Sequence, residues 1–217
     1  MPHTRDEILA ATGNLTGETI PVHIELHSMQ VVLSQPEMRS LLSGANIIAV
    51  GNCVCREAER RCDNPLEVCL ALDEEARTKI SDDGWREIPL EEAMSLLEKT
   101  HRRGLVHMAY RRAFSGDPAP REISFVCSCC TCCCVPLNGL RQYDYRDAIT
   151  ESAFAATFNT EACVGCGICA SRCSFAAFTM PNGADRASFD PRRCFGCGLC
   201  VTTCPSGAIG FVRRQET

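Results

Sequence analysis

Cys163, Cys166, Cys169 and Cys173 form a C-x2-C-x2-C-x3-C run, and Cys194, Cys197, Cys200 and Cys204 repeat it 31 residues later, followed by Pro205. Thiolates at this spacing suit cubes of iron and sulfide. Three thiols two residues apart wrap one cube, and the fourth lies too far along to close it, so it ligates the other. The spacing assigns Cys163, Cys166, Cys169 and Cys204 to one [4Fe-4S] cluster and Cys194, Cys197, Cys200 and Cys173 to a second. Zinc pairs or disulfides compete for the same thiols, but the triple run is far more specific than the lone C-x2-C they require. Gly165, Gly167, Gly196 and Gly198 alternate with the ligands, where glycine lets backbone N–H groups turn toward sulfur. Ile168 and Leu199 are placed to keep water from the cubes, and residues 176–178 and 207–209 read as short strands after each fourth cysteine.

Ten further cysteines precede these runs, in two groups. Cys53, Cys55, Cys62 and Cys69 follow the apolar run 47–50, which reads as a buried strand. Four thiols are enough for one metal centre. A [4Fe-4S] cluster is the first expectation, with zinc or unligated thiols as alternatives. Cys127, Cys129, Cys130, Cys132, Cys133 and Cys134 follow a second strand-like run at 123–126. These six cannot all face one point, because neighbouring side chains diverge. Three or four would hold one cluster, an atypical non-cubane centre included, and the others would serve a second centre or stay free. Adjacent cysteines rarely reach the Cα separation of a disulfide.

Residues from about 152 to 212 resemble a two-cluster bacterial ferredoxin, on the paired runs above. One departure is Cys173-Ser174, where proline ordinarily fixes the turn; it points to altered hydrogen bonding or solvent access near the cluster that Cys173 serves. A wider resemblance covers nearly the whole chain. The order Cys53-x-Cys55-Arg56, Cys62-Asp63-x-Pro65-Leu66-Glu67-x-Cys69-Leu70, Gly104-Leu105-Val106-His107, Cys129-Cys130-x-Cys132-Cys133-Cys134 and the ferredoxin pair is similar to a family of cysteine-rich 4Fe-4S binding proteins of anaerobes. The resemblance implies extra cluster ligation in the amino-terminal half and an electron-transfer role. Val135-Pro136 follows the cysteine block where the family pattern leads one to expect glycine.

The positioning elements follow from pattern. The fold class expected is α+β: a small α/β cysteine-rich domain over 1–150, then a two-cluster ferredoxin-like domain over 151–217. A short helix is predicted from Glu37 to Ser43, a helix from Leu90 to Arg102 with acids in its first turn and cations at its end, and a strand from Gly104 to Tyr110. Residues 140–152 read as a short connector, so the two parts are expected to pack closely and align their clusters in one path. Pro21 to Leu26 alternates like a strand, which sets His23 and His27 against a helical metal pair. His107 reads as a hydrogen-bonded core histidine, or one donating to a cluster sulfur. Arg56, Arg60, Arg61, Arg102, Arg103, Arg111, Arg112 and Arg121 read as solvated or ion-paired, or as cations offsetting cluster charge.

Composition narrows the function. Eighteen cysteines among 217 residues would suit a secreted disulfide scaffold, but metal spacings, adjacent thiols and a start without a basic-then-apolar leader favour a reducing, cytoplasmic setting. Such dense iron–sulfur chemistry also suggests an anaerobic host. No apolar run reaches the ~20 residues of a membrane helix. The formal charge is −5, and two clusters at two negative charges each bring it to about −9. That balance opposes nucleic acid and favours a basic patch on a redox protein or enzyme complex. No Walker loop, G-x-G-x-x-G fingerprint or nucleophile elbow is present, which argues against nucleotide or flavin chemistry. The expected activity is one-electron transfer. Two rivals are a reductase-type enzyme with an atypical centre at 127–134, fed by the ferredoxin part, and a zinc-stabilised docking module fused to a ferredoxin.

Overall fold

The computed structural model describes residues 30–110, 123–144, 146 and 149–214. His23, His27, Arg111, Arg112 and Arg121 lie outside the described residues. The amino-terminal half is built on a six-stranded sheet of order β1-β5-β6-β3-β2-β4. Its strands are β1 Gln30–Val32, β2 Ile48–Asn52, β3 Glu67–Leu72, β4 Arg86–Glu87, β5 Val106–Tyr110 and β6 Phe125–Cys129. Every pairing is antiparallel. The mixed helix-and-sheet class is therefore as expected, but this half is an antiparallel layer and not an α/β one. The physical reason lies in the connections, since β5 and β6 are paired neighbours and so are β2 and β3.

One sheet face is a conventional core. Helix α1 (Gln35–Gly44) brings Met38 and Leu42, and helix α4 (Leu90–Arg102) brings Ala93 and Leu97. These side chains pack on Ile48, Val50, Leu70, Leu72, Ala109 and Val126. Ser34 starts α1 with a capping box: its side chain receives the Glu37 amide while the Glu37 carboxylate receives the Ser34 N–H. Helix α4 ends in Lys99, His101 and Arg102, where cations meet exposed carbonyls.

Alternation along the strands sends the cysteines to the opposite face. Cys69 pairs with Cys127 across β3 and β6, and Cys129 stands two residues on. Helix α2 (Val54–Glu59) and helix α3 (Asp73–Asp83) follow β2 and β3. Ala76 of α3 packs on Ala49 and Ala71, with Trp85 and Phe125 alongside. Gly51 leaves no room for a side chain, since a Cβ there would stand 2.1 Å from the Trp85 indole. Helix α5 (Val135–Tyr143) was not anticipated: its second half occupies the stretch read as a connector. Pro136 sits in its first turn, where a missing N–H does no harm.

The carboxy-terminal part pairs β7 (Phe154–Phe158) with β10 (Ile209–Arg213), and β8 (Phe178–Thr179) with β9 (Ser188–Phe189). Helix α6 (Ile168–Arg172) lies within the first run and carries Cys169. This part joins the sheet directly. Phe175, Phe195 and Leu199 share a buried group with Val106, Met108, Cys129, Cys134, Leu137 and Leu140. Glu37 accepts Ser152 Oγ at 2.6 Å and the Ala153 amide at 2.9 Å. Arg172 donates to the His101 and Arg102 carbonyls at the end of α4.

Candidate metal centres

The carboxy-terminal cysteines surround two hollows. Cys163, Cys166, Cys169 and Cys204 line one. Cys173, Cys194, Cys197 and Cys200 line the other. Each hollow thus gathers three thiols of one run and the last thiol of the other. The walls fit an iron–sulfur cube. Phe158, Val164, Ile168, Ala187 and Ile209 close the first, and Ala156, Phe175, Phe178, Phe195 and Leu199 the second. No carboxylate lines either one. Backbone amides already point at sulfur, from Gly165 to Cys163 at 3.4 Å and from Ala177 to Cys173 at 3.2 Å. Burial would raise Cys204, but Ser206 and the amides of Ser206, Ala208 and Ile209 outweigh it and hold the thiol below its usual value. Burial pushes Cys197 up to about 12, so a cation must enter with the thiolate.

The glycines do a second job there. Gly165 and Gly196 have positive φ, at 69° and 75°. A Cβ on Gly165 would lie 2.0 Å from the Asp185 carbonyl oxygen, and one on Gly196 1.9 Å from that of Phe154. Their close approach is to neighbouring backbone, which holds the ligand loops against the strands.

The ten amino-terminal cysteines are brought together across both sequence groups, and not as those groups were drawn. Cys62 leaves Cys53, Cys55 and Cys69 and joins Cys130, Cys132 and Cys133. All four sulfurs lie within 4.8 Å of one another, with Cys62 3.8 Å from Cys130 and 3.9 Å from Cys133. Cys62 is carried on the loop after α2, which Arg60 ends in the left-handed conformation. Its partners sit in the tight turn after β6, closed by Cys134 N–H to the Cys130 carbonyl at 3.1 Å. Asn64 donates to Cys62 at 3.3 Å. Burial would raise Cys62, but Asn64 and the neighbouring thiols bring it down to about 6.

Cys53, Cys55, Cys69, Cys127, Cys129 and Cys134 make a second patch. Cys53, Cys55, Cys69 and Cys127 pack together under the sheet. Cys129 and Cys134 adjoin them beside Cys127, within the buried group shared with Phe175, Phe195 and Cys197. Tyr110 Oη lies 3.6 Å from Cys129 Sγ and 3.9 Å from Cys134 Sγ. Cys53 precedes α2 and Cys134 precedes α5, so two helix starts aim amides at this patch. The Cys55 hydrogen bond, then that from Cys69, holds the Cys53 thiol far below its usual value, and Cys55 is driven well above. Thiols in such contact become thiolates together only around cations. Residues 127–134 therefore do not make one centre by themselves, because β-strand alternation and the following turn send them to two.

Two side chains carry more than their sequence suggested. Arg56 is 1% exposed and not a surface cation. Its Nη2 donates to the Ser128 carbonyl at 3.0 Å and lies 3.5 Å from Cys130 Sγ, and Nη1 reaches the Pro65 carbonyl. Its place directly after Cys55 was the available signal. Tyr110 gave none beyond ending a strand. His107 is a core histidine whose Nδ1 meets Ser128 Oγ at 3.3 Å and whose ring stacks on His101.

Residues 162–208 match the family model of the 4Fe-4S dicluster domain. No curated protein matches the chain. The carboxy-terminal part is a ferredoxin-type iron–sulfur domain, in agreement with the two thiol-lined hollows.

Proposed function

We propose that this chain passes single electrons between redox partners, through two [4Fe-4S] clusters and at least one further iron–sulfur centre on the sheet. The iron–sulfur electron-transfer role rests on the dicluster match. Cys163, Cys166, Cys169 and Cys204 would hold one cube, and Cys173, Cys194, Cys197 and Cys200 the other. The six-thiol patch of Cys53, Cys55, Cys69, Cys127, Cys129 and Cys134 would hold the third centre. A bound cube takes up or gives one electron with little rearrangement. The chain's own residues exclude water, fix the thiolates and supply amides that set the potential.

The observation that carries the path is the continuity of buried contacts. Cys169, Cys194 and Cys200 share one apolar group, with Cys163, Cys173 and Cys204 against it. Cys173 and Cys197 then adjoin the group holding Cys129 and Cys134. The outer end is the first hollow, where Cys166 is exposed and Val164 is 67% exposed. A partner with an apolar spot and a basic rim suits that edge of a negatively charged chain. The division at 150/151, a cytoplasmic location and an anaerobic pathway belong to the same reading. Among the described residues, no helix is long and apolar enough to cross a membrane.

Protein purified without air should contain more iron and more sulfide than two cubes require. Full reduction should show magnetically interacting centres by electron paramagnetic resonance. Colourless protein, or reduced clusters with no spin interaction, would overturn the path.

A further inference from the structure

We propose that Cys62, Cys130, Cys132 and Cys133 hold a single tetrahedral metal ion of the zinc class, separate from every iron–sulfur cluster of the chain. A zinc–thiolate bond of about 2.3 Å gives a tetrahedron with sulfur-to-sulfur edges of about 3.8 Å. The quartet shows 3.8 Å for Cys62 to Cys130, 3.9 Å for Cys62 to Cys133 and 3.8 Å for Cys132 to Cys133. The remaining separations stay within 4.8 Å. A cube sets each thiolate on a different iron, outside the cube, and so spreads the four sulfurs far wider. The same molecule supplies the contrast. Among the described residues the quartet is the one group of potential ligands gathered so tightly, whereas the carboxy-terminal thiols stand around hollows.

Charge gives a second, independent reason. The Arg56 guanidinium is buried against the quartet, and no carboxylate pairs with it among the described residues. Its Nε has no hydrogen-bond partner. A buried cation needs a counter-charge. Four protonated thiols would offer none. When the quartet binds a divalent ion, its thiols release their protons and the complex carries two negative charges, which Arg56 offsets in part. Asn64 donates to the Cys62 sulfur, as a supporting partner of a thiolate ligand does.

The ion would act as a clamp. It joins the loop carrying Cys62 to the turn after β6, 68 residues apart in sequence. Cys129 and Cys134 flank that turn directly, so the clamp also sets two members of the six-thiol patch. This is a positioning role; electrons need not pass through the ion.

Two measurements on the full chain decide it. In protein purified without air, elemental analysis is expected to find one zinc, or one iron in excess of sulfide, per chain. X-ray absorption at the edge of that metal should show four sulfur neighbours near 2.3 Å. The C62S/C132S variant should lose that one ion and keep the iron and sulfide of the carboxy-terminal domain. A metal inventory with iron equal to sulfide and no zinc would overturn the proposal, as would a variant losing iron and sulfide in equal number. If the variant fails to fold, the absorption measurement on the unmodified chain still decides. The electron-transfer reading stands or falls separately, on reducible iron and sulfide.

Discussion

The two halves of this chain gather thiols by opposite means. In the carboxy-terminal half the ligands come from two short runs, and loops of glycine and single helical turns wrap each run around a hollow. In the amino-terminal half no run closes a site. Cys62 meets Cys130 across 68 residues, and Cys69 meets Cys127 only because β3 and β6 lie side by side. The first design makes the site local and lets the fold follow. The second makes the site a product of the finished sheet, so its metals and its strands should be lost together.

The sharpest way to break that contrast is at the local sites. Gly196 and Gly198 both have φ near +75°, but a Cβ on Gly196 would strike the Phe154 carbonyl at 1.9 Å, whereas on Gly198 it would meet only the Phe211 ring at 3.7 Å. Gly196→Ala is expected to cost on the order of 4 kcal/mol or to lose the adjacent cluster outright. Gly198→Ala should cost about 1 kcal/mol and keep it. Iron and sulfide per chain, with a thermal midpoint for each variant, check this. Equal losses from both would mean that the hollow, and not the backbone approach, requires glycine.

The same contrast explains what the sequence could show. The C-x2-C-x2-C-x3-C runs are read without tertiary information, because all but one ligand of each set lie within seven residues. Helix α4 was legible to its ends from its charges and apolar spacing, while α1, expected from Glu37 to Ser43, spans Gln35–Gly44. Strand direction was not legible, so the first half was expected to be α/β. The grouping of the ten other cysteines depends on that direction. Pairing β3 with β6 antiparallel puts Cys69 and Cys127 together on one face and leaves Cys62 to the loop beyond. The burial of Arg56 was illegible for the same cause: Ser128 and Cys130, which it contacts, lie 72 and 74 residues away.

Intermediate effects test how the halves depend on each other. Arg56→Met should destabilise the chain by about 3 kcal/mol, because it leaves the thiolates beside it uncompensated. Metal should then be lost first from the amino-terminal half, which metal analysis after limited chelation can follow. Glu37→Ala should cost about 2 kcal/mol. It removes both the α1 cap and the bonds to Ser152 and Ala153 that tie the sheet to the ferredoxin part. Unfolding by urea is the measure. A loss no larger than a simple cap would show that the two halves are held by their apolar contact alone.

The smallest effect concerns the joint itself, where His101 and His107 stack 5.7 Å apart. His101 meets Thr202 Oγ1 at 3.0 Å, and its neighbour Arg172 binds the end of α4 from the ferredoxin side. Burial, then the Arg172 charge, lowers His101 from 6.5 to about 4; burial, then His101, lowers His107 to about 3. Between those values and 6.5 the unfolded chain binds protons that the folded chain refuses, so stability is full above about 6.5 and is lost as pH falls below it. From pH 7.5 to 5.5 each imidazole should remove about 1 kcal/mol. The urea midpoint should fall accordingly, and His107→Asn should flatten that slope without changing the iron content. A variant whose slope matches the parent would place the acid sensitivity in the thiols and not in the joint between the halves.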